Sequence, residues 1–165
     1  MQLHVNTVEA SEIPKTDFLS ASDHYLLLQV SSLSSVQRTK CIEGTQNPIF
    51  NQEFHFNVTN PEKDILIAIL KNRNPVSEDM VIASVEIPLN SLQIGTIIDK
   101  WYKMSPMVGV KNGCHLRIAL QLAPSGHPAF QPYNMHNMNM YSNPYPMPNF
   151  SKPNNPYPSP NFNRK

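Results

Sequence analysis

Alternation of apolar and polar residues with a period of two runs through most of residues 1–122, and it limits the fold more than any other feature. Leu3, Val5 and Thr7 alternate with His4, Asn6 and Val8, and Leu116, Ile118, Leu120 and Leu122 alternate with His115, Arg117, Ala119 and Gln121. Successive side chains of a β-strand point to opposite faces, so such a pattern buries one face of a sheet. Tyr25 to Val30 is an apolar run, Phe50, Phe54, Phe56 and Val58 stud another, and Val81, Val85 and Ile87 precede Pro88. Ile65, Ile67 and Ile69 interleave with Leu66, Ala68 and Leu70, so both faces of that strand are expected to be buried. The turn dipeptides Asn47-Pro48, Asn60-Pro61, Asn74-Pro75 and Asn112-Gly113 separate the runs. A helix over Asp64–Leu70 fails on length and on its β-branched content, and only Leu89–Ile94 suits a short helical turn. The expectation is an all-β, eight-stranded antiparallel β-sandwich, with strands near 2–9, 24–30, 36–43, 50–58, 64–71, 80–87, 100–104 and 114–122.

Composition changes abruptly near Leu122. Residues 1–122 carry all 12 acids and ten of the 13 bases, a net charge of −2, whereas residues 123–165 carry no acid and the three bases Lys152, Arg164 and Lys165. Ten of the 16 prolines also lie in that tail. A 122-residue domain buries enough surface to hold itself together without a disulfide or a structural metal. The tail repeats itself: Asn143-Pro144-Tyr145-Pro146-Met147-Pro148-Asn149-Phe150 returns as Asn155-Pro156-Tyr157-Pro158-Ser159-Pro160-Asn161-Phe162. Alternating prolines forbid helices and strand ladders and favour extended polyproline II. With no branched aliphatic residues to build a core, residues 123–165 are expected to be a disordered tail.

Several function classes are excluded. Cys41 and Cys114 form no disulfide framework and no Cys/His cluster. The opening Met1-Gln2-Leu3-His4-Val5 has no basic stretch followed by an apolar run, so no secretory signal is expected. The apolar run from Ile65 to Leu70 is far shorter than the ~20 residues that span a bilayer. Neither segment is basic enough to make nucleic acid a partner. No His stands beside a nucleophile or in HExxH-type spacing, and no Gly-rich phosphate loop is present, so the chain is read as a non-enzyme. A cytoplasmic monomer that visits membranes peripherally is the expectation.

Five motifs, in a fixed order, resemble the C2 domain family. Val8-Glu9-Ala10-Ser11-Glu12-Ile13-Pro14 is similar to that family's strand and lead-in to its first loop. Asp17 through Tyr25 resembles its "D, four to five residues, S-D-P-Y" loop, with Ser22, Asp23 and Tyr25 retained. Arg38-Thr39-Lys40 followed by Thr45-Gln46-Asn47-Pro48-Ile49-Phe50-Asn51-Gln52-Glu53-Phe54-His55-Phe56 resembles "K-T-K … T-x-N-P-x-W-N-E-x-F-x-F". Ile82-Ala83-Ser84-Val85-Glu86-Ile87-Pro88-Leu89 resembles "I-G-x-x-x-I-P-L", and Trp101-Tyr102 resembles a late Trp-Tyr pair. The resemblance implies an eight-stranded sandwich that commonly binds calcium and phospholipid. The closing strand resembles one that some members place first, which implies the circularly permuted arrangement called type II.

The resemblance also implies a calcium site that is only partly present here. Members that bind calcium usually present five Asp from two loops, and Asp17 and Asp23 match the first two. Asn72, Asn74 and Met80 fall where the third loop usually supplies Asp, while Asp79 sits one residue early. Asn keeps one oxygen and loses a charge, and calcium affinity is tuned by the number of charged ligands. Two readings stay open: calcium held by Asp17, Asp23 and Asp79, or Asp17 and Asp23 capping backbone N–H groups of a turn.

Lys71 and Arg73 flank the two Asn residues and are candidate contacts with an anionic phospholipid membrane, while the mid-loop Phe18 and Leu19 either face the core or insert among its headgroups. Arg38 and Lys40 fall where relatives carry a basic headgroup patch, against the plainer reading of a solvated strand face. In the tail, Pro144-Tyr145-Pro146 and Pro156-Tyr157-Pro158 suggest a paired ligand for a proline-recognising protein domain, against the plainer reading of a soluble spacer and the alternative of self-association through residues 133–141. The functional expectation is a peripheral membrane module with weak or absent calcium dependence that recruits a partner through its tail. The alternative is a calcium-independent protein-interaction adaptor that never meets lipid.

Overall fold

A computed structural model of the chain describes residues 1–15 and 22–132. Nine strands form: β1 Gln2–Ser11, β2 His24–Val30, β3 Val36–Arg38, β4 Ile49–Asn57, β5 Ile65–Asn72, β6 Met80–Pro88, β7 Ile97–Lys103, β8 Ser105–Pro106 and β9 His115–Ala123. They make two sheets, ordered β4-β1-β9-β7 and β3-β2-β5-β6-β8, with every pairing antiparallel. The eight expected strands are all present, and the ninth is the two-residue β8. The closing strand β9 pairs along the whole of β1, as the type II arrangement requires. A single 3-10 turn, Leu89–Ser91, occupies the place expected for a helical turn.

The core lies between the sheets. Leu3 and Val5 of β1, Leu26 and Leu28 of β2, Leu66, Ala68 and Leu70 of β5, and Leu116, Ile118 and Leu120 of β9 are all wholly buried. Alternation along β1 breaks at a bulge between Thr7 and Glu9, which inserts one residue and turns Ala10, rather than Glu9, into the core. The outer face of β5 departs from expectation. Ile65, Ile67 and Ile69 are only half-buried, because among the described residues no second layer covers them and in-sheet neighbours such as Gln29 and Glu86 flank Ile67.

The strand expected over 36–43 ends at Arg38. Leu26 N–H turns to the Thr39 hydroxyl at 2.9 Å, so a side chain stands in for the ladder acceptor. One backbone bridge between His24 and Ile42 resumes two residues along β2 but three along its partner, which places a bulge at 40–41. Cys41 therefore lies in irregular backbone. β7 starts at Ile97, three residues earlier than the pattern indicated.

Residues 124–132, which composition assigns to the tail, turn back onto the first sheet. The buried Gln121 amide donates to the Gln131 carbonyl at 2.6 Å, and the Phe130 ring sits 6.3 Å from His4. Among the described residues, no helix is long and apolar enough to cross a membrane.

Candidate functional site

Antiparallel strands return to the same end of a sandwich every second connection. β1 ends, β2 begins, β5 ends and β6 begins at one rim, where residues 12–15, 22–23, 39–48, 73–79 and 107–114 gather. Every rim residue of the sequence-derived site that the structure describes lies here. Asp17, Phe18 and Leu19 fall outside the described residues, as do Pro144, Tyr145, Pro146, Pro156, Tyr157 and Pro158 of the tail.

Asp23 leads into β2 and is held on all sides. Its backbone N–H donates to Asn72 Oδ1 at 3.0 Å, and its carbonyl accepts the Arg73 N–H at 2.7 Å. Its carboxylate accepts the Gly44 N–H at 3.2 Å and a guanidinium N–H of Arg73 at 3.3 Å. The same Arg73 nitrogen reaches Glu43 Oε1 at 3.4 Å. A monovalent cation of the protein itself thus lies between two carboxylates from two different loops. Glu43 was not singled out from sequence, and Glu43-Gly44-Thr45 offers no signal beyond an ordinary turn.

Asp79 is occupied too. Its carboxylate accepts the Tyr25 hydroxyl at 2.6 Å and the Asn74 N–H at 2.9 Å. These two hydrogen bonds, the hydroxyl first, hold the Asp79 carboxyl below its ordinary value. Tyr25 moves the other way: burial, then the bond to Asp79, pushes its phenol up to about 12. The exposed Arg38 guanidinium stacks over the Tyr25 ring at 3.8 Å from its centroid, which ties it to this rim. Lys40 is exposed, and its backbone N–H donates to Gln52 Oε1 at 2.6 Å.

The positions where relatives place Asp do other work here. Asn72 is buried and ties β5 to the Asp23 backbone. Asn74 Oδ1 accepts the N–H groups of Val76 and Ser77 at 3.0 and 3.2 Å, an Asx turn that shapes the loop. Met80 opens β6, exposed and without an oxygen ligand. Among the described residues no group of three or more His, Cys, Asp or Glu is placed to hold a metal. Calcium at Asp23 and Asp79 would have to displace Arg73, Tyr25 and two backbone N–H donors, so the described residues do not fit that ion as they stand.

Sequence reasoning passed over the apolar tips. Val76 is 93% exposed between Pro75 and Ser77, and Val108 is 101% exposed between Met107 and Gly109. A lone apolar residue inside a polar Pro-containing turn was the available signal for Val76, and an apolar run broken by Gly109 the signal for Val108.

The C2 domain family model matches residues 1–104. Human cytosolic phospholipase A2 delta is 28% identical over 106 residues, which is 64% of this chain and 13% of that protein. Synaptotagmin-1 of Aplysia californica is 30% identical over 103 residues, 61% of this chain and 24% of that protein. The chain therefore spans a quarter or less of these two relatives. Among solved structures, a C2 domain of plant Extended Synaptotagmin 1 superposes with a TM-score of 0.68 at 19% identity, covering 73% of this chain and 92% of that one. Motif order, sheet topology and the extent of the family match agree, and the chain belongs to the C2 domain family.

Proposed function

We propose that this C2 domain docks its loop rim on anionic phospholipid from the cytoplasmic side as a peripheral membrane protein, with calcium having little or no part. The observation that carries the reading is Arg73 seated between Asp23 and Glu43. A divalent ion bound there would first have to displace a guanidinium that already offsets half of the pair's negative charge. Lys71 and Arg73 place two cations at the base of the 73–79 loop, Arg73 shared with Asp23 and Glu43, and Val76 at its tip gives the loop an apolar point. Each Lys or Arg near an anionic leaflet contributes about 1 kcal/mol, and an inserted aliphatic side chain adds to that. Phe18 and Leu19, in the neighbouring loop, are proposed to insert alongside Val76. The tail is proposed to recruit a proline-recognising domain through Pro144-Tyr145-Pro146 and Pro156-Tyr157-Pro158, two copies giving an avidity gain. No enzymatic step is assigned.

Sedimentation with phosphatidylserine-containing vesicles, once with calcium and once with chelator, tests the reading. The expected result is equal pelleting in both conditions and none with purely zwitterionic vesicles. Pelleting only with calcium would restore the metal site, and no pelleting at all would leave the protein-interaction adaptor.

A further inference from the structure

We propose that the 103–113 connection is a further membrane-inserting element, with Val108 and Met107 entering the bilayer and Lys103 and Lys111 facing its anionic headgroups. The inference rests on the membrane reading above and names an additional contact for it.

This connection joins two neighbouring strands of the first sheet, β7 and β9, yet visits the second sheet on the way. After β7 the chain leaves the first sheet at the wholly buried Met104, adds β8 to the edge of the second sheet, and returns to β9. Its base is clamped: Met104 N–H donates to the Cys114 carbonyl at 2.8 Å, and the buried Cys114 thiol lies 3.7 Å from Met104 Sδ. Gly113 packs so closely that an added Cβ would stand 2.3 Å from the Met104 carbonyl oxygen. The register Ala83↔Pro106, continued by the Met107 N–H to the Ile82 carbonyl at 3.0 Å, runs antiparallel to β6. Each further residue therefore lies nearer Met80 and the 73–79 loop.

At the apex Val110 N–H closes onto the Met107 carbonyl at 3.0 Å, and Gly109 takes a left-handed φ of 92°. These are the marks of a type II turn over 107–110, with Val108 and Gly109 as the two residues of its tip. Val108 is fully exposed and Met107 is 41% exposed, while Val110 packs inward against the core. Residues 103–113 contain two Lys and no acid. In the neighbouring loops Asp23 and Glu43 share Arg73, and Asp79 accepts from Tyr25 and the Asn74 N–H, while Glu78 stays exposed.

An apolar point on a rigid convex turn with a basic base suits a negatively charged bilayer, which yields around a protrusion. A protein partner would need a matching cavity. Val76 and Val108 on the same rim then give two anchors, and insertion of both restricts tilt as well as adding affinity.

The test compares full-length wild type with Val108→Asp and Val76→Asp on phosphatidylcholine vesicles containing phosphatidylserine, by sedimentation. Neither position is buried, so both variants should fold, and circular dichroism checks this. Losing a buried aliphatic side chain and inserting a charge should weaken vesicle association at least tenfold for Val108→Asp. Lys103→Gln with Lys111→Gln should weaken it further, and less so as salt is raised. If wild type and Val108→Asp bind alike while Val76→Asp loses binding, the 103–113 contact is overturned and the membrane reading stands. If wild type does not pellet on these vesicles, both are overturned. A change in the oligomeric state of the free protein, with vesicle binding intact, would overturn the inference in favour of a second copy on this turn.

Discussion

Tyr25 and Asp79 shift in opposite directions, and the signs lead to a test. Folding favours the charged carboxylate of Asp79 and the neutral phenol of Tyr25, because the hydrogen bond between them needs both forms. The contribution from Asp79 is complete above its ordinary value of 3.8 and is lost as pH falls through its lower folded value. The contribution from Tyr25 is complete below its ordinary value of 10.0 and is lost as pH rises through about 12. In Asp79→Asn the Tyr25 titration, followed by NMR of its ring carbons, should move down toward 10.0 and stop short of it, since burial remains the larger cause. A titration unmoved from about 12 would show that the pairing does not matter. Arg73 gives a second prediction. Arg73 and Glu43 are exposed, so Arg73→Gln should cost less than about 1 kcal/mol of stability. Calcium in excess should leave the wild-type Tm unchanged and raise that of Arg73→Gln, because only the variant leaves Asp23 without a guanidinium partner. Equal responses would sink the idea that Arg73 stands in the way of the ion.

Elements show where local rules give way to tertiary ones. β5 reads as a strand with two buried faces, yet one face is only half-covered, since periodicity reports alternation but not whether a layer lies above. The 36–43 strand was cut short by Thr39, whose hydroxyl takes a backbone donor that propensity alone would assign to a ladder. The 103–113 connection offers a comparison of two glycines. Gly113→Ala drives a methyl into backbone and should cost about 1–3 kcal/mol, as overpacking does. Gly109→Ala meets open space and carries only the left-handed strain of about 1–2 kcal/mol. Because Gly113 clamps the hairpin base, its variant should also weaken vesicle binding, while Gly109→Ala should alter binding only as far as the turn changes shape. Denaturant melts read alongside sedimentation separate the two effects.

For the molecule as a whole, composition placed the tail boundary near Leu122, but residues 124–132 make contacts that composition cannot report. Gln121 is wholly buried, and its amide donates to the carbonyls of Gly95 and Gln131. Ending the chain after Ala123 removes one of those acceptors and uncovers the surface that Phe130 sits against. The expected cost is about 1–3 kcal/mol, the range for a buried polar group left short of a partner. Ending it after Pro132 should leave the melting temperature of the sandwich unchanged. A truncation at 123 as stable as one at 132 would show that the returning segment adds nothing.

The sequence by itself determined the sandwich, because a period of two between turn-forming Asn-Pro pairs has few solutions that bury its apolar residues, and the motif order resembled one family. It also showed which carboxylates a calcium site would have lost, since loss of charge is visible residue by residue. Only the tertiary structure decided what replaced them. Arg73 lies 50 residues from Asp23 and 30 from Glu43, and Tyr25 lies 54 from Asp79. No local pattern records which loops a sandwich brings to one rim, nor which side chain then fills the space between two charges.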